Sequence, residues 1–142
     1  MEIQKLAPKD YDRIVKVWEE AGLPFRPVGR DSKKNITSQL RSNRVTILGA
    51  IEENELIGVV MVTHDGRKGW INRLAVMKAH QHKGIASLLL HEAESFLNKM
   101  EYEIYCVLIE NDRDASKQFF SNLGYAEEKD ISYFTKRIRK DA

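Results

Sequence analysis

Cysteine is almost absent from this 142-residue chain: Cys106 stands alone. A single thiol excludes an intrachain disulfide and a cysteine-based zinc cluster, and it fits a reducing, cytoplasmic location. Long apolar runs are also missing. None approaches the roughly 18 residues that a membrane span needs, so no membrane association is expected. The first residues, Met1-Glu2-Ile3-Gln4, read as the start of a strand and not as an apolar leader. Charge of one sign is missing too. A formal net charge of +2 leaves no strong electrostatic footprint for nucleic acid, and the basic stretch Lys136-Arg137-Ile138-Arg139-Lys140 reads as a solvated strand end. The chain has no internal repeat, low-complexity tract or linker. Its length predicts one domain over residues 1–142, able to bury about two-thirds of its unfolded surface.

What is present is a regular alternation of strands and helices. Ile3 to Leu6 reads as a strand. Pro8 sits where a helix start tolerates a missing N–H, and Tyr11, Ile14, Val15, Val17 and Trp18 then mark a helical apolar face ending at Gly22. Leu23 to Arg30 holds Pro24, Pro27 and Gly29 and reads as a loop. Asp31 or Ser32 is expected to cap a second helix through Arg41. Val45–Ile51, Leu56–Thr63 and Trp70–Val76 read as consecutive antiparallel strands, joined by turns at Glu52–Glu55 and Asp65–Gly69. Ile85, Leu88, Leu89, Ala93, Phe96, Leu97 and Met100 give the segment Gly84–Met100 a 3.6-residue period. A strand over Tyr102–Ile109 follows, then a helix capped by Asp112 or Asp114 and stopped at Gly124, then a last strand over Tyr125–Ile138, broken near Asp130. This order predicts an α+β or mixed α/β layer around a largely antiparallel sheet.

The junction between Val76 and the helix from Gly84 carries the chemistry. It reads Gln81-His82-Lys83-Gly84-Ile85-Ala86. The first N–H groups of a helix have no partner within it, and the helix dipole adds about half a positive charge there, so the junction suits phosphate. Gly84 admits close approach of a ligand, small Ala86 and Ser87 keep the first turn open, and His82 and Lys83 can add cationic donors. Plain turn chemistry would explain a glycine here equally well. The surroundings decide between the two readings.

Those surroundings are Ile71-Asn72-Arg73-Leu74-Ala75-Val76, then Gln81-x-x-Gly84-x-Ala86, then Leu88-Leu89-Leu90. They resemble the acetyl-CoA motif of the GNAT (GCN5-related) N-acetyltransferase superfamily: Arg or Gln, two residues, Gly, one residue, Gly or Ala. Downstream, Phe119-Phe120-Ser121-Asn122-Leu123-Gly124-Tyr125 resembles that family's aromatic-x-x-Leu-Gly-Phe/Tyr ending. The resemblance spans nearly the whole chain. It implies the acyl-CoA N-acyltransferase fold, with a mostly antiparallel twisted sheet and helices on both faces, and acetyl-CoA as cosubstrate. By the same resemblance the pantetheine arm would pair with the backbone of Leu74, Ala75 and Val76. The pyrophosphate would rest on the amides of Gln81, His82, Lys83, Gly84, Ile85, Ala86 and Ser87. Asn111, Ala115, Ser116, Phe119 and Phe120 would flank the thioester end.

Transfer to an amine needs the neutral amine. Deprotonating a lysine side chain at pH 7 costs about 4.6 kcal/mol, an α-amine about 1. Glu110 is the preferred base candidate. Asn72 could orient a water, Asp65 and Glu52 are weaker candidates, and a water chain to solvent competes with all four. Two positions depart from the family pattern. Phe120 stands where the family commonly places a tyrosine that protonates the CoA sulfur, and Arg113 stands where Asn is frequent, two residues after Asn111. Tyr125 or Tyr133 could supply an alternative donor. The thiolate can also leave unprotonated, since a thiol near pKa 8.5 is a tolerable leaving group.

The expected activity is therefore acetyl-CoA-dependent N-acetylation of a primary amine by direct attack on the thioester. A non-catalytic acyl-CoA-binding sensor is the alternative that Phe120 favours. The acceptor, a small-molecule or protein amine, is not named by the sequence, although Arg26 and Arg30 in the rigid loop could fork onto an acidic group. His80, His82 and His91 lack metal-site spacing, and Cys106 reads as a small core residue. Exposed sheet edges leave a homodimer open.

Overall fold

The computed structural model describes all 142 residues. Its elements are β1 (Glu2–Lys5), α1 (Tyr11–Glu20), α2 (Lys33–Arg41), β2 (Val45–Glu52), β3 (Glu55–His64), β4 (Gly69–Val76), α3 (Ile85–Lys99), β5 (Tyr105–Val107) and α4 (Asp114–Asn122), with single 3₁₀ turns at Pro8–Asp10 and Lys78–His80. The five strands form one sheet in sequence order. β1 to β4 are antiparallel, and β5 joins β4 in parallel, the direction change supplied by α3 as crossover.

Two cores explain why the sheet holds helices on both faces. On one face Ile14, Val17 and Trp18 of α1 and Ile36 of α2 pack on Ile47, Leu56, Val59, Met61 and Ala75. On the other, Ile85, Leu89, Leu90, Ala93 and Leu97 of α3 and Phe120 of α4 pack on Ile57, Val60, Val62, Ile71 and Val76. The central strand β3 serves both cores, because successive side chains point to opposite faces. Trp18, Ile57 and Leu89 are among the fully buried residues of the two cores, and truncating one of them to alanine would cost about 2–5 kcal/mol. Gly58 is required for close packing: a Cβ there would sit 3.0 Å from Leu89 Cδ1.

The structure resolves one alternative and corrects three expectations. Of the two cap candidates, Ser32 caps α2, its hydroxyl accepting from the Asn35 amide. Asp31 is instead buried and serves the α1–α2 loop. Neither Asp112 nor Asp114 caps α4; Arg113 occupies that position without a side-chain bond. The expected last strand does not form, and residues 125–138 run as irregular backbone. β5 is three residues long and not eight, so it offers little edge to pair with. Ile131, Tyr133, Phe134 and Ile138 are 70, 71, 89 and 89% exposed. Strand-forming residues need a half-buried surface to pack on, and here they find none. The chain end returns to the body at the α1–α2 loop, where Arg139 Nη2 donates to the Val28 carbonyl at 3.0 Å.

Candidate functional site

The site begins with a defect in β4. Opposite β3 the register runs Asn72↔Met61 and then Ala75↔Val59, so Arg73 and Leu74 together face Val60. Such a bulge bends the strand and resets its phase. The hydrogen bonds show the reset. Before the bulge, the Gly69 amide donates toward β5, to Ile104 O; after it, the Met77 amide donates toward β3, to Ile57 O. Without the bulge, residues 69 and 77 would face the same way. The inversion turns the main-chain groups of Leu74 and Val76 away from β3. β5 pairs with β4 only at Gly69, Trp70 and Ile71, so beyond Ile71 the two strands part and that edge of β4 is open.

The second component is the loop into α3. His82 has φ +64 and Gly84 φ +81, both in the left-handed region that non-glycine residues seldom enter. Left-handed residues interleaved in this way turn successive N–H groups toward a common centre and make an anion-binding concavity. No side chain caps α3 at Gly84, so its first amides are left free for a ligand. Gln81 fixes the loop to the strand through its Nε2, which donates to the Val76 carbonyl at 2.9 Å. Space around Gly84 is open, with nothing within 4 Å of a built Cβ.

These parts enclose a cavity of about 330 Å³ lined by Val76, His80, Gln81, His82, Gly84, Ile85, Ala86, Ser87 and Phe119. Seven residues expected from the sequence to hold cosubstrate therefore meet with Phe119 at one place, and His80 joins them. Ile85 is buried in the core, so its amide is what it can offer. Lys83 is exposed beside the cavity wall. Leu74 stands further along the open edge, whereas the main chain of Ala75, expected there from the sequence, faces β3 opposite Val59. Asn111 and Ala115 are exposed and Ser116 is half-buried, and Asn111 accepts from Lys117 Nζ at 3.3 Å. Phe120 is 6% exposed and packs edge-on against Phe119 and Tyr125, each at 5.2 Å between centroids.

The acid–base candidates are dispersed. Glu110 is exposed and faces Arg113 at 3.9 Å. Asn72 Nδ2 donates to the Thr63 hydroxyl at 3.0 Å. Asp65 accepts from the Lys68 and Arg67 amides, and these bonds hold its carboxyl below the usual range; that lowers its worth as a base. Glu52 lies 3.7 Å from His80. Tyr125 donates its phenol to Glu94 at 2.7 Å. Burial first, then that bond and the Glu94 charge, push its pKa far above the ordinary phenol value. Tyr133 is out in solvent. No group of three or more His, Cys, Asp or Glu residues is arranged to hold a metal, and no helix is long and apolar enough to cross a membrane.

Sequence reasoning missed Arg73. It sits on the bulge at φ +52, its guanidinium 4.2 Å above the Trp18 ring, with Nη2 donating to Pro24 O at 2.8 Å and Nη1 3.8 Å from the buried Asp31 carboxylate. The available signal was a charged residue, beside Asn72, inside a mostly apolar strand.

The architecture is shared with solved acetyltransferases. The PaiA N-acetyltransferase of Thermoplasma acidophilum, solved with coenzyme A, superposes with a TM-score of 0.78 at 23% identity, over 88% of this chain and 89% of that one. An aminoglycoside 6′-N-acetyltransferase of Acinetobacter haemolyticus gives 0.81 at 16% identity, over 98% and 100%. An uncultured-soil aminoglycoside acetyltransferase solved with trehalose gives 0.79 at 18%, over 97% and 96%. At these identities the likeness is one of fold. The family model described as the acetyltransferase (GNAT) family matches residues 12–125, most of the chain and every element of the cavity, so this protein belongs to the GNAT acetyltransferase family and is an acetyl-CoA-dependent N-acetyltransferase.

Proposed function

We propose that the enzyme acetylates the primary amine of a small molecule that also carries an acidic group. The diphosphate of acetyl-CoA would be received by the amides from His82 to Ser87, and the pantetheine arm by the main chain of Leu74 and Val76. The observation that carries this reading is the coincidence of three features at one cavity: the left-handed pair His82 and Gly84, the uncapped start of α3 and the freed edge of β4. Backbone donors there would hold a diphosphate without strong dependence on side-chain identity.

The acceptor would enter from the face formed by α1, α2 and their connecting loop. That loop carries Arg26 and Arg30 beside Arg73, against one buried carboxylate, Asp31; the chain end adds Arg139 and Asp141, which pair with each other at 2.8 Å. Within the loop itself guanidinium outnumbers carboxylate, which suits a carboxylate or phosphate on the acceptor. That excess opposes polycations, and so it argues against aminoglycosides, the class for which two of the similar enzymes are named. The amine would attack the thioester carbonyl, and the C–S bond would break with the sulfur leaving as thiolate. Phe120 cannot protonate it, and Tyr125 is committed to Glu94. Glu110 is exposed, so water competes with it directly for the ammonium proton. We assign that proton to solvent, with Asn72 as a group that can orient a water beside β4.

A homodimer belongs to the same reading. β5 is too short to add much strand pairing, but beside its unpaired outer edge Ile104 and Leu108 are 48 and 54% exposed, and the apolar residues of the chain end are exposed too. A cytoplasmic location fits the lone half-buried thiol of Cys106. The test is thiol release from acetyl-CoA across an amine panel. Turnover highest with amino acids or amino phosphates supports the acceptor class. Preference for polyamines or aminoglycosides rejects that class but leaves acetyl transfer standing. CoA binding with no turnover on any amine would return the sensor alternative.

A further inference from the structure

We propose that Arg73 is a positioning residue for the acceptor: it clamps the α1–α2 loop onto the bulge of β4 and so sets the distance between the amine and the strand that presents the thioester. The inference rests on the assignment of that loop as the acceptor wall, and it deepens that assignment.

The bulge gives Arg73 its direction. Its left-handed φ of +52 is costly for a residue with a Cβ and persists only where surroundings hold it. The surroundings here are all on the acceptor side. The guanidinium carbon lies 4.2 Å from the centre of the Trp18 ring of α1, within the range of a cation–π contact. Its side chain is only 16% exposed. One donor goes to the Pro24 carbonyl and another nitrogen faces Asp31. Asp31 is 2% exposed and accepts the Arg26 amide at 2.7 Å, while its own carbonyl accepts the Tyr11 hydroxyl at 2.8 Å. One buried pair thus fastens both ends of the loop, Pro24 and Asp31, and through the Arg26 amide its middle.

The same residue is joined covalently to Leu74, the first residue of the freed edge. Arg73 is the β4 side chain that hydrogen-bonds to the loop, and Ala75 adds apolar packing in the core that Leu23 and Phe25 join. The guanidinium thus supplies the polar link that registers loop and thioester strand. Its Nε is buried without a hydrogen-bond partner, so the guanidinium keeps one donor unsatisfied. Burial lowers the Arg73 pKa, opposed by Asp31 and assisted by Arg30, although arginine stays charged at any working pH.

The experiment uses Arg73→Lys, Arg73→Met and Asp31→Asn in the full chain. Three quantities are read: CoA affinity by calorimetry, KM and kcat with the best amine of the panel, and the rate of chymotryptic cleavage after Phe25 in the loop. Expected are CoA affinities within twofold of wild type, acceptor KM raised tenfold or more in Arg73→Met, less in Asp31→Asn and least in Arg73→Lys, and cleavage accelerated at least fivefold in the same order. Unchanged acceptor KM and cleavage, with CoA binding intact, would overturn the clamp and leave the acetyl-transfer reading untouched. A wild-type protein that binds no CoA would instead remove the reading on which the clamp rests. Should Arg73→Met not fold, the two milder variants carry the test, and wild-type hydrogen exchange supplements them: the Arg26 amide is expected to be protected at least a hundredfold, and exchange at the rate of an open loop would reject the clamp.

Discussion

The two sides of β4 are built from different materials. Toward α3, the site is made of backbone: left-handed residues at His82 and Gly84, uncapped amides at the helix start and a strand edge freed by a bulge. Toward α1 and α2, it is made of side chains drawn from distant positions, with Arg73, Asp31 and Trp18 meeting across more than fifty residues of sequence. Backbone sites tolerate substitution except where a conformation or an open space is required. Side-chain sites change with almost any substitution. A cosubstrate common to many acceptors is suited to the first kind of wall, and one particular acceptor to the second.

Gly84→Asp breaks the comparison most severely. The position is open, so the fold should survive at a modest cost for the left-handed φ, but bulk and negative charge are placed against the diphosphate. CoA affinity by calorimetry should fall at least a hundredfold. Normal binding would move the diphosphate elsewhere. Next in size, Arg30→Ala should raise KM for an acidic acceptor about tenfold while KM for acetyl-CoA stays within twofold, measured by thiol release. Equal loss on both would mean that the two walls are not separate.

The contrast also explains what could be read from the chain. Gln81-x-x-Gly84-x-Ala86 was legible because a backbone site constrains local sequence to glycine and small residues. The strands and α3 were legible from periodicity, which reports only which face is buried. Arg73 was not legible, since its role depends on a register shift at Val60 that no local pattern announces. The last strand was over-read: Ile131, Tyr133 and Phe134 favour β structure locally, but pairing needs a partner edge, and β5 supplies three residues. Asp31 and Ser32 were equal cap candidates by residue type; Ser32 took the cap, and the burial of Asp31 near Arg73 had no local signal.

Smaller effects sharpen the picture. Gln81→Ala removes the brace to Val76 and should weaken CoA by about five- to tenfold, near 1 kcal/mol for one hydrogen bond. Glu110→Gln should lower kcat less than threefold if solvent takes the ammonium proton; a fall of 10²- to 10⁴-fold would make Glu110 the base. Tyr125→Phe should have the least effect on turnover, because its hydroxyl is bonded to Glu94 and not directed at the sulfur. Its stability effect has a definite sign. The folded state raises the Tyr125 pKa, so its contribution is fully present below the unfolded value of about 10 and declines as pH rises beyond that, where the unfolded chain loses the proton first. Denaturant unfolding should show wild type losing stability above pH 10 more steeply than Tyr125→Phe; parallel curves would contradict the Tyr125–Glu94 assignment.

Amide chemical-shift mapping during a CoA titration tests the central claim most directly, because it reports on main-chain groups themselves. The largest shifts are predicted at Leu74, Val76 and the amides from His82 to Ser87, with Arg26 and Arg30 little affected until an acceptor is added. Shifts confined to other surfaces, or none at saturating CoA on folded protein, would contradict a diphosphate seat at the start of α3.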